Sequence, residues 1–138
     1  MGKKTGGNMQ HIVALFGEAE KGQYKKAYRL QNLPQLVDFL GNPPSESEGL
    51  FFAIQALLYE REIIYFRVKE EGFSKSDYYS GLKFLENRDN IKQLDALCLP
   101  GVGDGEILNA SQPVCEIHKS HLITTQKDLY DYLTSHSS

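Results

Sequence analysis

The chain has no tryptophan, only two cysteines and two methionines, and no uninterrupted apolar run near the roughly 20 residues a membrane helix requires. Two cysteines, Cys98 and Cys115, exclude a disulfide-built scaffold. Cys98 falls in an apolar run, where a thiol behaves as a small hydrophobe. Nor is there an excess of positive charge: 15 Lys and Arg stand against 18 Asp and Glu, a formal −3, with no dense basic tract. A nucleic-acid surface calls for a clustered positive face, so neither nucleic acid nor membrane is expected as a partner. The opening "MGKKTGGNMQ" carries no secretory signal and is polar and glycine-rich, which predicts a tail over residues 1–10. Synthesis in a reducing cytoplasm is the matching expectation.

What is present is ordinary globular material: 138 residues, 41% hydrophobic and 24% charged, enough for one core and one domain over 11–134, with a short tail at 135–138. "HIVALFG" (11–17), "EIIYFRV" (62–68) and "LDALCLP" (94–100) have the apolar, β-branched character of buried strands. "HLITT" (121–125) reads as a shorter strand, and "KKAYRLQ" as a poorly alternating edge strand. Between them lie helical patterns. "LPQLVDFLG" has Pro34 in its first turn and Gly41 at its end. In 45–60, Ser45 and Glu48 have capping-box spacing, and Leu50, Phe51, Ala53, Ile54, Ala56, Leu57 and Leu58 form a wide apolar stripe. Ser74 and Asp77 repeat the start signal for 74–87, where Tyr78, Leu82 and Leu85 share a face. Residues 104–119 read as helix with a kink or break at Pro113, and 126–135 as a helix capped by Thr125, with Leu129, Tyr130 and Leu133 inward. Strands alternating with helices predict an α/β domain, a mostly parallel sheet of four to five strands with helices on both faces.

In such sheets ligands collect at the carboxyl ends of the strands. There "PGVGDGE" offers three alternate glycines, but it lacks both the dinucleotide fingerprint and the Lys-Ser/Thr pair of a phosphate loop. Asp104 and Glu106 would put negative charge where a phosphate should sit. The simpler expectation is that Asp104 caps the following helix, with Gly101 and Gly103 supplying tight or left-handed backbone. Glu18, Glu20, Glu70, Glu71, Asp104 and Glu106 could instead gather as an acidic pocket for a divalent cation, though nothing fixes octahedral geometry. His118 and His121 straddle a helix–strand junction without a third ligand nearby, and His11 and His136 are remote in sequence. No serine occupies a nucleophile elbow, and no histidine neighbours Cys98. No catalytic residue, cofactor or metal site is therefore assigned. The alternative is a small α/β enzyme, or a nucleotide- or metal-binding protein, using these acidic and glycine-rich loops. Tyr24, Tyr28, Phe73 and Tyr132 are contact aromatics if exposed.

Taken as an ordered series, the segments resemble the sheath proteins of contractile phage tails. "IVALFGEAEKG" is similar to that family's opening strand and glycine-bounded turn. "LPQLVDFLG" resembles its short helix, and "GLFFAIQALLYEREIIYFRV" its next helix and strand. "SKSDYYSGLKFLENRDNIKQLDALCLPGVGD" is similar to the helix, linker and strand ending in Pro-Gly, here Pro100 and Gly101, and the helix with Cys115 and Glu116 followed by "HLITT" to the next step. The likeness runs over most of 11–133. It implies a virion-assembly protein without enzymatic chemistry, part of a contractile tail or particle, whose partners are other protein subunits: copies of itself, or tube and sheath components. In that family, terminal arms add strands to neighbouring sheets. This chain has "KGQ" where the family has Pro after Gly, and it carries neither the large domain inserted after the second strand nor the C-terminal half.

Overall fold

The computed structural model describes residues 11–135. The expected tail at 1–10, and residues 136–138 of the expected tail at 135–138, with His136, lie outside the described residues, while Ser135 belongs to the last helix and not to a tail. The elements run β1 (Ile12–Gly17), β2 (Ala27–Leu30), α1 (Leu33–Leu40), α2 (Gly49–Leu58), β3 (Glu62–Arg67), α3 (Lys75–Glu86), β4 (Ala96–Cys98), α4 (Gly105–His118), β5 (His121–Ile123) and α5 (Gln126–Ser135). The five strands form one sheet in the order β2-β3-β1-β4-β5. β1 pairs in parallel with β3 and β4, and β4 with β5, whereas β2 runs antiparallel along β3 as an edge strand. This is the expected α/β architecture.

The period-2 alternation of strands sorts side chains onto two faces. Val13, Leu15, Ile63, Tyr65, Ala96 and Cys98 face one core, which α1, α2 and α5 cover. Ala14, Phe16, Ile64, Phe66 and Leu97 face the other, under α3 and α4. In the second core, Phe16 stacks between Tyr78 and Phe66, at ring-centre distances of 5.4 and 4.7 Å, and Phe84 meets Phe66 edge-on at 5.8 Å. Such aromatic pairs add stabilisation beyond their buried area. Gly81 makes room for this row, because a Cβ there would collide with the Phe16 ring.

Several local expectations are corrected. The apolar stripe of α2 is rotated: Phe52 is buried, while Phe51 and Leu58 are 50% and 65% exposed. On α5, Tyr132 turns inward and Tyr130 is 60% exposed, so Tyr132 is a core residue and no contact aromatic; Tyr28 is buried likewise. Tyr24 and Phe73 are exposed. Pro113 neither breaks nor divides α4, which runs unbroken from Gly105 to His118. Proline removes the amide that would bond the carbonyl of Asn109, and both residues lie on the exposed side, where that oxygen is open to solvent.

Candidate functional site

From β1 the chain goes on toward β3, and from β4 toward β5, so their neighbouring carboxyl ends mark the point where the topology switches direction. This is where an open parallel sheet normally admits a ligand. Here Gly17 ends β1 against the first turn of α2, and the β3–α3 loop folds across. A Cβ on Gly72, whose φ is +88°, would lie 2.8 Å from the Gly101 carbonyl oxygen. The Gly72 amide donates to the Tyr78 hydroxyl at 2.7 Å, which ties that loop down from the core side.

Glu71, carried by this loop, sits at the carboxyl end of β1, on one side of the switch point. Its Oε1 accepts from the amides of Glu18 and Gly49, both at 2.9 Å, and its Oε2 accepts from the Glu48 amide at 2.8 Å. The Glu71 amide in turn donates to Glu18 Oε2 at 2.9 Å. One carboxylate thus satisfies two open amides at the start of α2, in the place where an anionic ligand would meet the positive end of the helix dipole. The Tyr65 hydroxyl donates to the Glu18 carbonyl at 2.9 Å beneath them. Complete burial first, and then the nearby Glu71 carboxylate, push that phenol well above its ordinary pKa.

This arrangement corrects the expected capping box. Ser45 lies outside α2, which begins at Gly49 with Glu48 at its cap position and no side-chain cap bond from Glu48. Ser74 precedes α3 but exchanges bonds with the Glu70 main chain, and the Asp77 carboxylate turns to the Lys69 amide and the Lys25 ammonium at 2.9 and 3.2 Å. Two other caps stand as expected. Asp104 Oδ1 accepts from the Glu106 amide at 2.8 Å and from that of Ile107 at 3.4 Å; Thr125 Oγ1 accepts from Asp128 at 3.1 Å. Gly101 has the left-handed φ of +75°, whereas Gly103 does not.

The six acidic residues are therefore dispersed. Glu18 and Glu71 lock each other's backbones. Glu20 accepts from the Asn42 amide at 2.9 Å. Asp104 and Glu106 share Lys75, at 3.5 and 2.9 Å. The Glu106 amide bond above all, then that of Ile107 and the Lys75 charge, hold the Asp104 carboxyl below its usual range. Among the described residues, no group of three or more His, Cys, Asp or Glu side chains is placed to hold a metal ion. His118 bonds the Leu85 carbonyl at 2.7 Å, beside α3, while the His121 ring lies against Tyr132 on α5. Burial raises the Cys98 thiol far above its ordinary value, and Cys115 is raised mainly for the same reason.

A polar group at the opposite end of the sheet has no counterpart in the sequence reading. Asp95, just before β4, accepts from the Tyr132 hydroxyl and pairs with His11 Nδ1 at 3.2 Å. Arg61 lies over the Tyr132 ring, 5.3 Å from its centre. His11 and Asp95 each immediately precede a strand, so adjacent parallel strands bring them together; that is the one signal by which they could have been found.

No family model, curated protein or solved structure matches the chain. No helix among the described residues is long and apolar enough to cross a membrane.

Proposed function

We propose that the chain is a non-enzymatic structural or assembly subunit of the contractile-tail-sheath kind, working by association with other protein subunits of a tail or particle. The observation that carries this reading is the Glu71 carboxylate seated on the amides of Glu18, Glu48 and Gly49. At the point where this topology would offer a ligand its helix terminus, the chain uses its own side chain to hold main chain together. The exposed apolar residues agree with association. Phe51 and Leu58 lie seven apart on one side of α2, Val37 and Phe39 are exposed on α1, and Tyr130 on α5, all helices of the same face of the sheet. Exposed apolar groups of this kind favour a protein contact, and Phe73 before α3 and Tyr79 on it are exposed as well.

Sedimentation velocity on the protein alone, and mixed with tail-tube and sheath subunits, tests the reading. Self-association or a complex is expected, weakened by the double substitution Phe51→Glu and Leu58→Glu. A strict monomer that binds none of these partners would sink it. A rise in melting temperature with a nucleotide or divalent metal, abolished by Asp104→Ala, would instead support the small-enzyme reading.

A further inference from the structure

Away from the switch point, a hollow of about 440 Å3 opens between α3 and the outer strand β2. Ligand pockets begin at roughly 300 Å3. Ser80, Lys83 and Phe84 line one wall from one side of α3, their spacing being i, i+3 and i+4, and Asn87, the residue that ends the helix, continues it; Phe84 borders both this wall and the second core. The floor is Ala27 and Phe66, paired across β2 and β3. A larger residue at 27 would fill the space; alanine leaves it open.

Two features say what would fit. The row of rings Tyr78–Phe16–Phe66–Phe84 runs out of the core and ends at this hollow, so a flat ring lodged there would extend the row in stacked or edge-on contact. The charges at the rim are also unequal. Lys25 is neutralised by Asp77, whereas Lys83 forms no ion pair with any described residue. The lining includes no carboxylate; Ser80 and Asn87 supply hydrogen-bonding groups, while the Asn90 side-chain amide already donates to the Phe84 carbonyl at 3.0 Å.

We infer that this hollow binds a small, flat aromatic anion, its ring over Ala27 and against Phe66 and Phe84, its anionic group facing Lys83. Nothing in the association reading requires this site, and it would stand if that reading fell.

Titration of the intact protein with benzoate, followed by amide shifts in two-dimensional NMR, tests it. Saturable shifts are expected at Ala27, Ser80, Lys83 and Asn87, with millimolar affinity, as suits so small a ligand. Uncharged benzamide and non-planar cyclohexanecarboxylate should each bind several-fold more weakly. Lys83→Met, on the exposed side of a helix, should weaken benzoate about fivefold while leaving benzamide unchanged, the size of an exposed charge contact. Ala27→Leu should abolish binding of both; should that variant not fold, contacts between benzoate protons and the Phe66 and Phe84 rings in the parent decide the location. Absence of saturable shifts, shifts confined to another surface, or unaltered benzoate affinity in Lys83→Met would overturn the inference.

Discussion

Gly17 at the end of β1 and Gly49 at the start of α2 lie so close that a Cβ built on either would stand 2.6 Å from the Cα of the other. Two backbones meet there without side chains between them, and that contact lets a single carboxylate, Glu71, reach the amides of both the β1 turn and the helix. The glycines and the glutamate are one device, built from three places in the chain.

Removing the carboxylate should loosen that device. Glu71→Ala leaves the amides of Glu18, Glu48 and Gly49 without their acceptor and should cost about 2–3 kcal/mol, the range for a lost cap and charge-assisted bonds. Glu71→Gln keeps one acceptor oxygen and should cost less. Urea unfolding of the three proteins, compared at equal slope, checks the order.

Gly81 carries a different constraint. Alanine normally improves a helix interior by about 1 kcal/mol over glycine. At this position its Cβ would strike Phe16, and it would lie 3.0 Å from Phe66 Cδ1. Displacing a packed ring row costs about 1–3 kcal/mol, so Gly81→Ala should be net destabilising. A higher unfolding midpoint than the parent would show that the rings yield more easily than the packing implies.

Asp104 should contribute to acid sensitivity. The amides of Glu106 and Ile107, with Lys75, favour its ionised form, so its folded pKa lies below the unfolded one. The folded state then holds fewer protons, and the contribution is complete above the unfolded value of about 3.9 and lost as pH falls through the folded value. Asp104→Asn, which keeps a capping oxygen without charge, should melt below the parent at neutral pH. The gap should narrow as the pH drops below about 4. Melting curves at several pH values read this directly.

The two thiols should differ in reactivity. Cys98 is fully buried and its thiol is pushed far up by desolvation, so little thiolate exists at neutral pH; Cys115 is half-buried. With an aromatic disulfide reagent, Cys115 should react slowly in the native protein and Cys98 only when the chain unfolds. Equal labelling of both under native conditions would contradict the packing of β4.

The local parts of this structure were readable in advance. The strands at 12–17 and 62–67 announce themselves by apolar, β-branched runs, and α3 by its apolar spacing. The caps at Asp104 and Thr125 succeed because donor and acceptor lie within three residues. The same logic misled at Ser45 and Ser74, where correct spacing lost to partners from elsewhere in the fold. It also misplaced the inward residues of α2 and α5, where hydrophobicity alone does not say whether Phe51 or Phe52, Tyr130 or Tyr132, turns to the core. The hollow beside Ala27 was invisible, because it is defined by what β2 and α3 leave unfilled between them.

By itself, the order of residues determined the α/β class, the sequence of elements and the caps built from neighbours, since periodicity and short-range hydrogen bonding act within a few residues. Only the tertiary structure decided that the acidic residues disperse. Glu71 finds its acceptor role 22, 23 and 53 positions away, at Gly49, Glu48 and Glu18, and Asp77 meets Lys25 at a distance of 52. A carboxylate bonds whichever amide or cation the folded chain brings within about 3 Å, and no pattern along the chain encodes that encounter.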